Sequence, residues 1–352
     1  MYKRLIFTQL FLFFICGSFV AAQEMSDNEP VIYTIVYNSV PPNYQYPLVG
    51  FINIANGDFN NIQLGFVNLT KGAVNGVQLG FVNSTLRAQN GIQAGYVNFV
   101  NNNLNGVQAG FINVVKKGVD GLQAGFVNTS GESVDGAQIG YVNVTGQNVD
   151  GVQVGFVNAA AKDLDGGQIG FVNTVRNLDG FQLGFVNVAE SAENGIPFGF
   201  VSVVKKGGYQ AFGVYADEMY PFNFSYRIGV KKLYTTFIAS CNKNNQHRFS
   251  LGTGIGSILP VNNHFFFNPE LINQNVIDAD QTFQNITSLN LGIGTDLTNR
   301  LHLSAGPTLT WSYSANIDYL QTPYCWIYNR KINDRNNFNI GLRIGLNYTI
   351  SN

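Results

Sequence analysis

The sequence predicts an all-β protein in two parts, a β-solenoid of about 15 residues per coil followed by an antiparallel β-barrel of about eight strands. Three observations favour this fold class. A tandem repeat with a period of fifteen residues fills the first half of the chain, and long stretches of alternating apolar and polar residues fill the second half. The chain also contains 39 glycines and 13% aromatic residues but only 12% charged residues, a composition typical of β structure with many tight turns.

The N-terminus has the features of a secretory signal peptide. Lys3 and Arg4 precede an apolar run over 5–20, and Ala21 and Ala22 are the small residues expected before signal peptidase cleavage. We therefore expect an exported chain. Its predicted organisation is a signal peptide at 1–22, an N-terminal segment or cap at 23–46, tandem repeats at 47–204 and a barrel-like domain at 205–352.

The repeat is defined by the segment GVQLGFVN, which begins at Gly76. Closely related segments begin at Gly91, Gly106, Gly121, Gly136, Gly151 and Gly166. The glutamine of this segment recurs every fifteen residues from Gln63 to Gln168, and Gln182 follows after fourteen because one residue is missing before Leu178. A period this regular indicates an architecture in which each unit is one supersecondary element.

Two columns of the repeat predict a tight turn before each strand. Glycine fills one column, with Asn61 in the first full unit, and both residue types reach positive φ at low cost. The preceding column is always Asn or Asp, whose side chains bond nearby backbone amides in turns. We therefore expect asparagine to be tolerated in the glycine column. The structural turn residues are Gly76, Gly91, Gly106, Gly121, Gly136, Gly151, Gly166 and Gly180.

Two architectures fit these columns. Asn-Gly and Asp-Gly between strands predict hairpins laid side by side in a meander. Alternatively, each unit is one coil of a solenoid, with identical residues stacked about 4.8 Å apart. The residue missing before Leu178 would reverse every later side chain in a paired strand, whereas a loop accepts the loss. We therefore favour the solenoid, and we expect the columns of Val77, Leu79 and Phe81 to fill its core because apolar side chains are generally buried.

From Gly207 onward the repeat stops and longer alternating stretches begin. Apolar residues occupy every second position of 338–350, and the positions between them hold small or polar residues and Arg343. The stretch 301–313 alternates likewise and ends on aromatic residues. An apolar, aromatic-tipped face opposite a small polar face is typical of outer-membrane β-barrel strands. A soluble sandwich or barrel with an ordinary core is the alternative, because its strands alternate in the same way.

Several of these segments resemble a known group of proteins. Tandem GVQxGFVN units that close with GIPFGFVSVVKKGGYQ and continue to YRIGVKKLYTTFIA and LHLSAGPTLTW are similar to bacterial surface-repeat proteins, which are exported and combine tandem repeats with a C-terminal β-barrel-like domain. The resemblance extends over nearly all of the chain beyond the signal peptide. It implies a location in the cell envelope, and it implies no activity or catalytic residue.

The residues that carry chemistry are sparse and scattered. His247, His264 and His302 lie beside no cysteine or carboxylate at a metal-ligand spacing. The glycine-rich segment Gly252–Gly256 alternates like a strand and does not begin a helix, so it predicts no phosphate loop. We therefore predict no catalytic residue, no cofactor, no metal site and no enzymatic activity.

Net charge restricts the possible binding partners, and the cysteine content restricts the possible disulfides. The net charge of -1 provides no electrostatic basis for nucleic-acid binding. Beyond the signal peptide the chain keeps Cys241 and Cys325, which predict either one disulfide or two free buried thiols in an exported protein.

A column of aspartates allows a weaker hypothesis. In a solenoid these carboxylates would stack about 5 Å apart, and their repulsion is relieved either by solvation and turn hydrogen bonds or by a row of calcium ions. The turn explanation is favoured because Asn75, Asn90 and Asn105 serve equally in the same column. The calcium row would consist of Asp120, Asp135, Asp150, Asp165 and Asp179.

Three functional classes remain. The first is a structural or adhesive module at the cell surface, anchored by the barrel in outer-membrane lipid, with the Gln and Asn ladders as a binding face for an extracellular protein or glycan. The second is an outer-membrane pore or transport accessory, although eight strands usually fill their own interior. The third is a glycan-binding or glycan-active solenoid, for which the repeat is too uniform. We therefore rank them in that order and expect the cell outer membrane or cell surface as the location.

Overall fold

The all-β architecture predicted from the sequence is confirmed. The computed structural model describes residues 31–242, 248–277, 283–315, 323 and 325–350. The predicted signal peptide at 1–22 and the first part of the predicted N-terminal segment, 23–30, lie outside the described residues. Within the described ranges, no helix is long and apolar enough to cross a bilayer. The chain divides into two compact units, Met1–Val115 and Lys116–Asn352.

The first unit is a stack of parallel coils. Each strand pairs with the strand one coil further along, so that Tyr37 lies opposite Ile52 and Gln93 lies opposite Gln108. The pairing includes Asn38, so it begins before the first recognisable repeat segment. The strands are β1 (Tyr37–Val40), β2 (Leu48–Val49), β3 (Ile52–Ala55), β4 (Ile62–Leu64), β5 (Val67–Thr70), β6 (Val74–Leu79), β7 (Val82–Thr85), β8 (Gln89–Val100) and β9 (Leu104–Val115).

The second unit begins with coils of the same kind. Their strands pair in parallel, with Val119 opposite Val134 and Gln153 opposite Gln168. These strands are β10 (Val119–Ser130), β11 (Val134–Thr145), β12 (Val149–Ala160), β13 (Asp163–Leu178), β14 (Phe181–Ser191) and β15 (Ile196–Lys206).

Parallel pairing of successive fifteen-residue repeats confirms the solenoid and excludes the hairpin meander. The shortened unit keeps its register, because Gln168 still lies opposite Gln182. The backbone carbonyl of Lys162 accepts hydrogen bonds from the amides of both Arg176, at 3.1 Å, and Asn177, at 3.0 Å. The end of β13 beyond Thr174 therefore absorbs the missing residue without a change of register.

The rest of the second unit is a closed antiparallel barrel of eight strands, also as predicted. The barrel strands are β16 (Tyr209–Ala216), β17 (Phe222–Val230), β18 (Leu233–Asn242), β19 (Arg248–Gly256), β21 (Phe265–Ile277), β22 (Gln284–Asp296), β23 (Leu301–Ser314) and β25 (Asn336–Thr349), with β20 (Leu259–Pro260) and β24 (Tyr328–Asn333) as short additions that pair with β21 and β25. The ring closes because Ala211 of β16 lies opposite both Arg227 of β17 and Thr349 of β25.

The expected core of the solenoid is wrong. Leu79 is 40% exposed, Phe81 is 46% exposed and Val77 is half-buried. The columns that point inward are represented in this part of the chain by Val74, Gln78, Asn83 and Thr85, which are fully buried. Alternation puts glutamine and leucine on opposite faces of a strand, but it does not say which face is inside. The polar face is inside because its amides bond between coils.

The backbone requires the glycines of the turn column. Six of the eight have φ between 124° and 137°, beyond the left-handed region that asparagine tolerates. These six are Gly91, Gly106, Gly121, Gly136, Gly151 and Gly166. Gly76 and Gly180 are not among the glycines with positive φ. A Cβ would nevertheless lie 2.2 Å from a carbonyl oxygen of the preceding coil at Gly76, and 1.9 Å from one at Gly180. Asn61 is not among the described residues with positive φ, so it is no evidence that asparagine fits the later turns.

We predict that Gly151→Ala and Gly151→Asn destabilise the protein to a similar extent. A Cβ at this position would lie 2.0 Å from the backbone oxygen of Gly136. The φ of 136° adds about 1–3 kcal/mol of backbone strain for any residue with a side chain. Thermal unfolding of the full chain measures the effect, with Asp150→Ala at the exposed neighbour as the control. A Gly151→Asn variant as stable as this control would contradict the backbone requirement.

Candidate functional site

A ladder of glutamine side chains fills part of the interior of the coils. Nε2 of one glutamine donates to Oε1 of the glutamine one coil earlier. The distance is 2.6 Å from Gln93 to Gln78 in the first compact unit and 2.7 Å from Gln138 to Gln123 in the second. The hydroxyl of Thr145 adds a bond to Oε1 of Gln138 at 3.0 Å. All four glutamines are fully buried. Each amide therefore depends on the next coil for its hydrogen bonds.

An asparagine ladder runs beside it in the opposite direction. Nδ2 of Asn128 donates to Oδ1 of Asn143, one coil later, at 2.9 Å, and to the backbone oxygen of Ile139, also at 2.9 Å. The adjoining corner of the coil needs glycine, because a Cβ on Gly140 would lie 2.1 Å from the backbone oxygen of Gly125 and 2.6 Å from Nδ2 of Asn128. The two ladders thus hold successive coils at one spacing and one register.

The glutamine ladder ends where the neighbouring coil has no amide to offer. Gln63 lies opposite Leu48, and its Nε2 has no hydrogen-bond partner among the described residues. Gln182 lies opposite Pro197, and within the same part of the chain its Oε1 has no partner. The apolar residues at these two positions terminate the ladder.

The outward face of the coils is apolar and carries stacked aromatic rings. The rings of the first unit that stack are Phe51, Phe66, Phe81, Tyr96 and Phe111, with centroids 4.9 or 5.0 Å apart. Those of the second unit are Phe126, Tyr141, Phe156, Phe171, Phe185 and Phe200, also 4.9 or 5.0 Å apart. The rings are between 41% and 56% exposed. Both units therefore bury rows of amides beside an inner apolar column that includes Val74 and Val149, and both carry exposed hydrocarbon on this outer face.

The aspartate column lies on an exposed turn. Asp120 lies opposite Asp135, and Asp150 lies opposite Asp165, with all four side chains exposed. In the part of the chain that the structure describes, no group of three or more His, Cys, Asp or Glu side chains has the arrangement of a metal site. The calcium row stays the weaker hypothesis beside the turn explanation.

The barrel shows the same inversion of polarity. Leu342 and Ile344 are 61% and 58% exposed on its outer wall, while Arg343 between them is buried in the lumen. The predicted alternation of 338–350 is therefore present, with its apolar side outward. The long polar and charged side chains lie inside.

A charged network occupies the middle of the lumen. Nε of Arg227 donates to Oε1 of Glu270 at 2.8 Å, and the hydroxyl of Tyr234 donates to the same oxygen at 2.8 Å. Nη1 of Arg343 lies 2.6 Å from Oε2 of Glu270, as an ion pair without a well-aligned hydrogen bond. The guanidinium of Arg343 also stacks 3.5 Å from the ring centroid of Tyr215. The network joins side chains from β16, β17, β18, β21 and β25 across the lumen.

Apolar side chains pack in the lumen on both sides of this network. Met219 and Tyr220, from the connection between β16 and β17, pack against Val276 and Ile286. Toward the opposite end, the packed group consists of Tyr209, Ala211 and Tyr234. The cavity that remains beside Glu270 and Arg343 measures about 10 Å³, room for at most one water. Side chains therefore fill the described part of the lumen.

Sequence reasoning assigns His302 no partner, but the barrel brings two to it. Nδ1 lies 2.6 Å from Oδ1 of Asp296, and Nε2 lies 2.8 Å from the hydroxyl of Thr349. A carboxylate, an imidazole and a hydroxyl in this order also occur in nucleophilic catalysis. None of the three lines the lumen cavity, and each lies near the end of a different strand. We interpret the chain of bonds as a link between strands, while His247 lies outside the described residues.

The two cysteines follow the second of the predicted alternatives only in part. Cys241 and Cys325 are both free thiols, but neither is buried, since Cys241 is half-buried and Cys325 is exposed. The fold of the second unit therefore holds without a disulfide between them.

Comparison with known proteins adds little to this geometry. No family model and no curated protein sequence matches the chain. Among solved structures, the crystal structure of neisserial surface protein A (NspA) is similar to this chain with a TM-score of 0.23 and 10% sequence identity, over 40% of this chain and 93% of that chain. A likeness at this level carries no argument about function.

We predict that Gln138→Leu destabilises the protein although it makes the interior more apolar. Leucine removes the acceptor used by Gln153 and Thr145 and the donor that serves Gln123, and each buried group left unpaired costs about 1–3 kcal/mol. Denaturant unfolding of the full chain measures the loss, and Glu132→Ala on an exposed turn is the control. If both variants unfold at the same denaturant concentration, the amide ladder does not hold the coils together.

Proposed function

We propose that this chain is an outer-membrane protein in which the barrel is the anchor and the repeat is a structural, non-enzymatic module. Membrane lipid is the partner of the barrel wall in this proposal. The observation that carries it is the reversed polarity of the barrel, with charges inside and hydrocarbon outside.

The energetics of this reversal favour a bilayer. Leu251, Leu271 and Leu342 are 56%, 49% and 61% exposed on the wall, whereas Arg227 and Glu270 are almost completely buried. In water, each exposed large apolar side chain forgoes about 1.5–3 kcal/mol of burial free energy. In hydrocarbon the same wall is favourable, and closed antiparallel pairing satisfies the backbone.

The filled lumen supports an anchor over a pore. The ion pairs of Glu270 and the apolar packing on both sides of them occupy the space through which a solute would pass. Eight-stranded barrels generally have an interior just wide enough for side chains. The pore reading is therefore the weaker alternative.

The connections of the barrel support a structural module over a surface adhesin. The chain passes from the coils into the barrel at 207–208, and at that end the other connections are 231–232, 297–300 and the segment 257–264, which contains the short strand β20. At the opposite end β23 stops at Ser314 and β24 begins at Tyr328, which is the longest separation in sequence between successive barrel strands. Short turns of outer-membrane barrels face the periplasm. We therefore infer that the coils of the second unit lie on the periplasmic side, and that the buried Gln and Asn ladders are not a binding face.

We predict that the folded chain fractionates with membranes and shows heat-modifiable gel mobility, and that Leu342→Arg reduces the folded form. An arginine at this mid-strand position would cost about 2–4 kcal/mol in lipid. The matched control is Ile332→Arg, which places the same charge near the tip of the β24–β25 hairpin, where the cost falls to about 0–1 kcal/mol. A monomeric product that is fully soluble without detergent would contradict the membrane anchor.

We predict that a membrane-impermeant maleimide reaches Cys325 in intact cells but does not reach a cysteine on the coils. Cys325 is exposed in the long connection of the barrel, and Asp150 is exposed on the coils. The first variant carries Cys241→Ser, and the second carries Cys241→Ser, Cys325→Ser and Asp150→Cys. Permeabilising the outer membrane should restore labelling of the second variant. Its labelling in intact cells would favour the adhesive alternative.

A further inference from the structure

An apolar groove lies between the outward face of the last coils and the barrel wall, both within the second unit. Its volume is about 590 Å³. Its lining includes Ile169, Leu183, Phe198 and Phe200 from the coils and Thr253 and Ile255 from the barrel. Because this lining is almost entirely hydrocarbon, water inside the groove finds few hydrogen-bond partners.

The last coil packs against wall positions that face away from the lumen. The hydroxyl of Thr235 donates to the backbone oxygen of Gly199 at 2.7 Å, and the ring of Phe200 meets Phe237 edge to face at 5.1 Å. Thr235 and Phe237 alternate along β18 with Tyr234, whose side chain lies in the lumen. In a membrane barrel, outward positions of this kind contact acyl chains. The coil therefore stands where lipid would otherwise be.

The apolar face of the coils is continuous with the barrel wall. Phe200 ends the aromatic stack and touches the wall at Phe237, and Ile255 and Leu251 continue the exposed hydrocarbon along β19. Parallel pairing between coils already satisfies the backbone of the strands, so this face can enter hydrocarbon without leaving unpaired amides or carbonyls. The turns at the other edge of the coils are polar and exposed.

Four lysines lie where the coils join the barrel. Lys205 and Lys206 end the last coil strand, and Lys231 and Lys232 form the turn between β17 and β18. All four are exposed, and Nζ of Lys232 donates to the backbone oxygen of Asn194 at 3.4 Å. Basic residues at the edge of an apolar surface lie at the level of anionic lipid headgroups.

We propose that the apolar face of the coils at 119–206 is immersed in the periplasmic leaflet of the same membrane as the barrel, with a phospholipid acyl chain in the groove and its phosphate beside the four lysines. This inference rests on the proposed membrane location of the barrel. Lipid is favoured over a second copy of the chain because the face continues a wall that lipid itself covers. The repeat is then a second membrane-contacting surface rather than a free appendage.

Quenching of tryptophan fluorescence by brominated acyl chains tests the proposal in the full chain, reconstituted in phospholipid vesicles. The chain has two tryptophans, Trp311, exposed on the barrel wall, and Trp326. Trp326→Phe leaves Trp311 as the reporter of barrel insertion. Adding Trp311→Phe and Phe156→Trp moves the reporter to the aromatic stack of the coils. The matched control has Lys162→Trp in place of Phe156→Trp and reports the polar turn that follows the same strand.

We expect the brominated chains to reduce the fluorescence of the Phe156→Trp variant by a fraction comparable to the loss at Trp311, and to leave the Lys162→Trp variant unchanged. Phe156→Trp keeps an aromatic ring in the stack, and heat-modifiable mobility shows that each variant is folded before it is measured. Quenching at Trp311 without quenching of Phe156→Trp would overturn the inference and leave the barrel anchor intact. A crosslinked dimer joined through the unquenched face would identify a second copy as the occupant instead. Loss of quenching at Trp311 itself would contradict the proposed function.

Discussion

The structure depends above all on the hydrogen bonds between side-chain amides of successive coils. A buried amide needs a partner, and in a stack of coils the partner that is always available is the same residue one coil away. Gln138 therefore lies between Gln123 and Gln153, with bonds of 2.7 Å on each side. Parallel strands, a fixed register and an inward polar face all follow from this one requirement.

The inward amides determine what the outside of the coils must be. Strand alternation sends the apolar neighbours of each glutamine outward, where the rings of residues such as Phe156 and Phe171 stack at the strand spacing. A face of this kind is costly in water, and it is a patch that soluble proteins rarely expose. In the proposed membrane location an apolar surrounding would offset this cost, so the exterior of the repeat and the exterior of the barrel pose the same physical problem.

The barrel solves the complementary problem of placing charges in its interior. Glu270 is buried between Arg227 and Arg343, so each charge has an opposite charge within hydrogen-bond distance. Removing one partner from such a set leaves an uncompensated charge, so the network selects one closed arrangement of the strands. The wall of the barrel also covers the last coil through Thr235 and Phe237, which protects an edge strand from pairing with other chains.

The sequence alone determined the fold class, the period of the repeat and the number of barrel strands. It did so because strand periodicity and Asn-Gly or Asp-Gly turns are local properties: the loss of one residue before Leu178 was enough to favour coils over hairpins. The polarity of the coils was decided only by the tertiary structure, because alternation is symmetric and the ladder from Gln78 to Gln93 exists only once coils stack. The same holds for the turn glycines, whose φ near 130° and close approach to the preceding coil exclude asparagine.

The charged partners in the lumen were also decided only by the tertiary structure. No local pattern marks them as partners, because Glu270, Arg227 and Arg343 are far apart in the sequence. Only closure of the barrel brings them together, since long-range contacts between side chains depend on strand register and on the curvature of the wall.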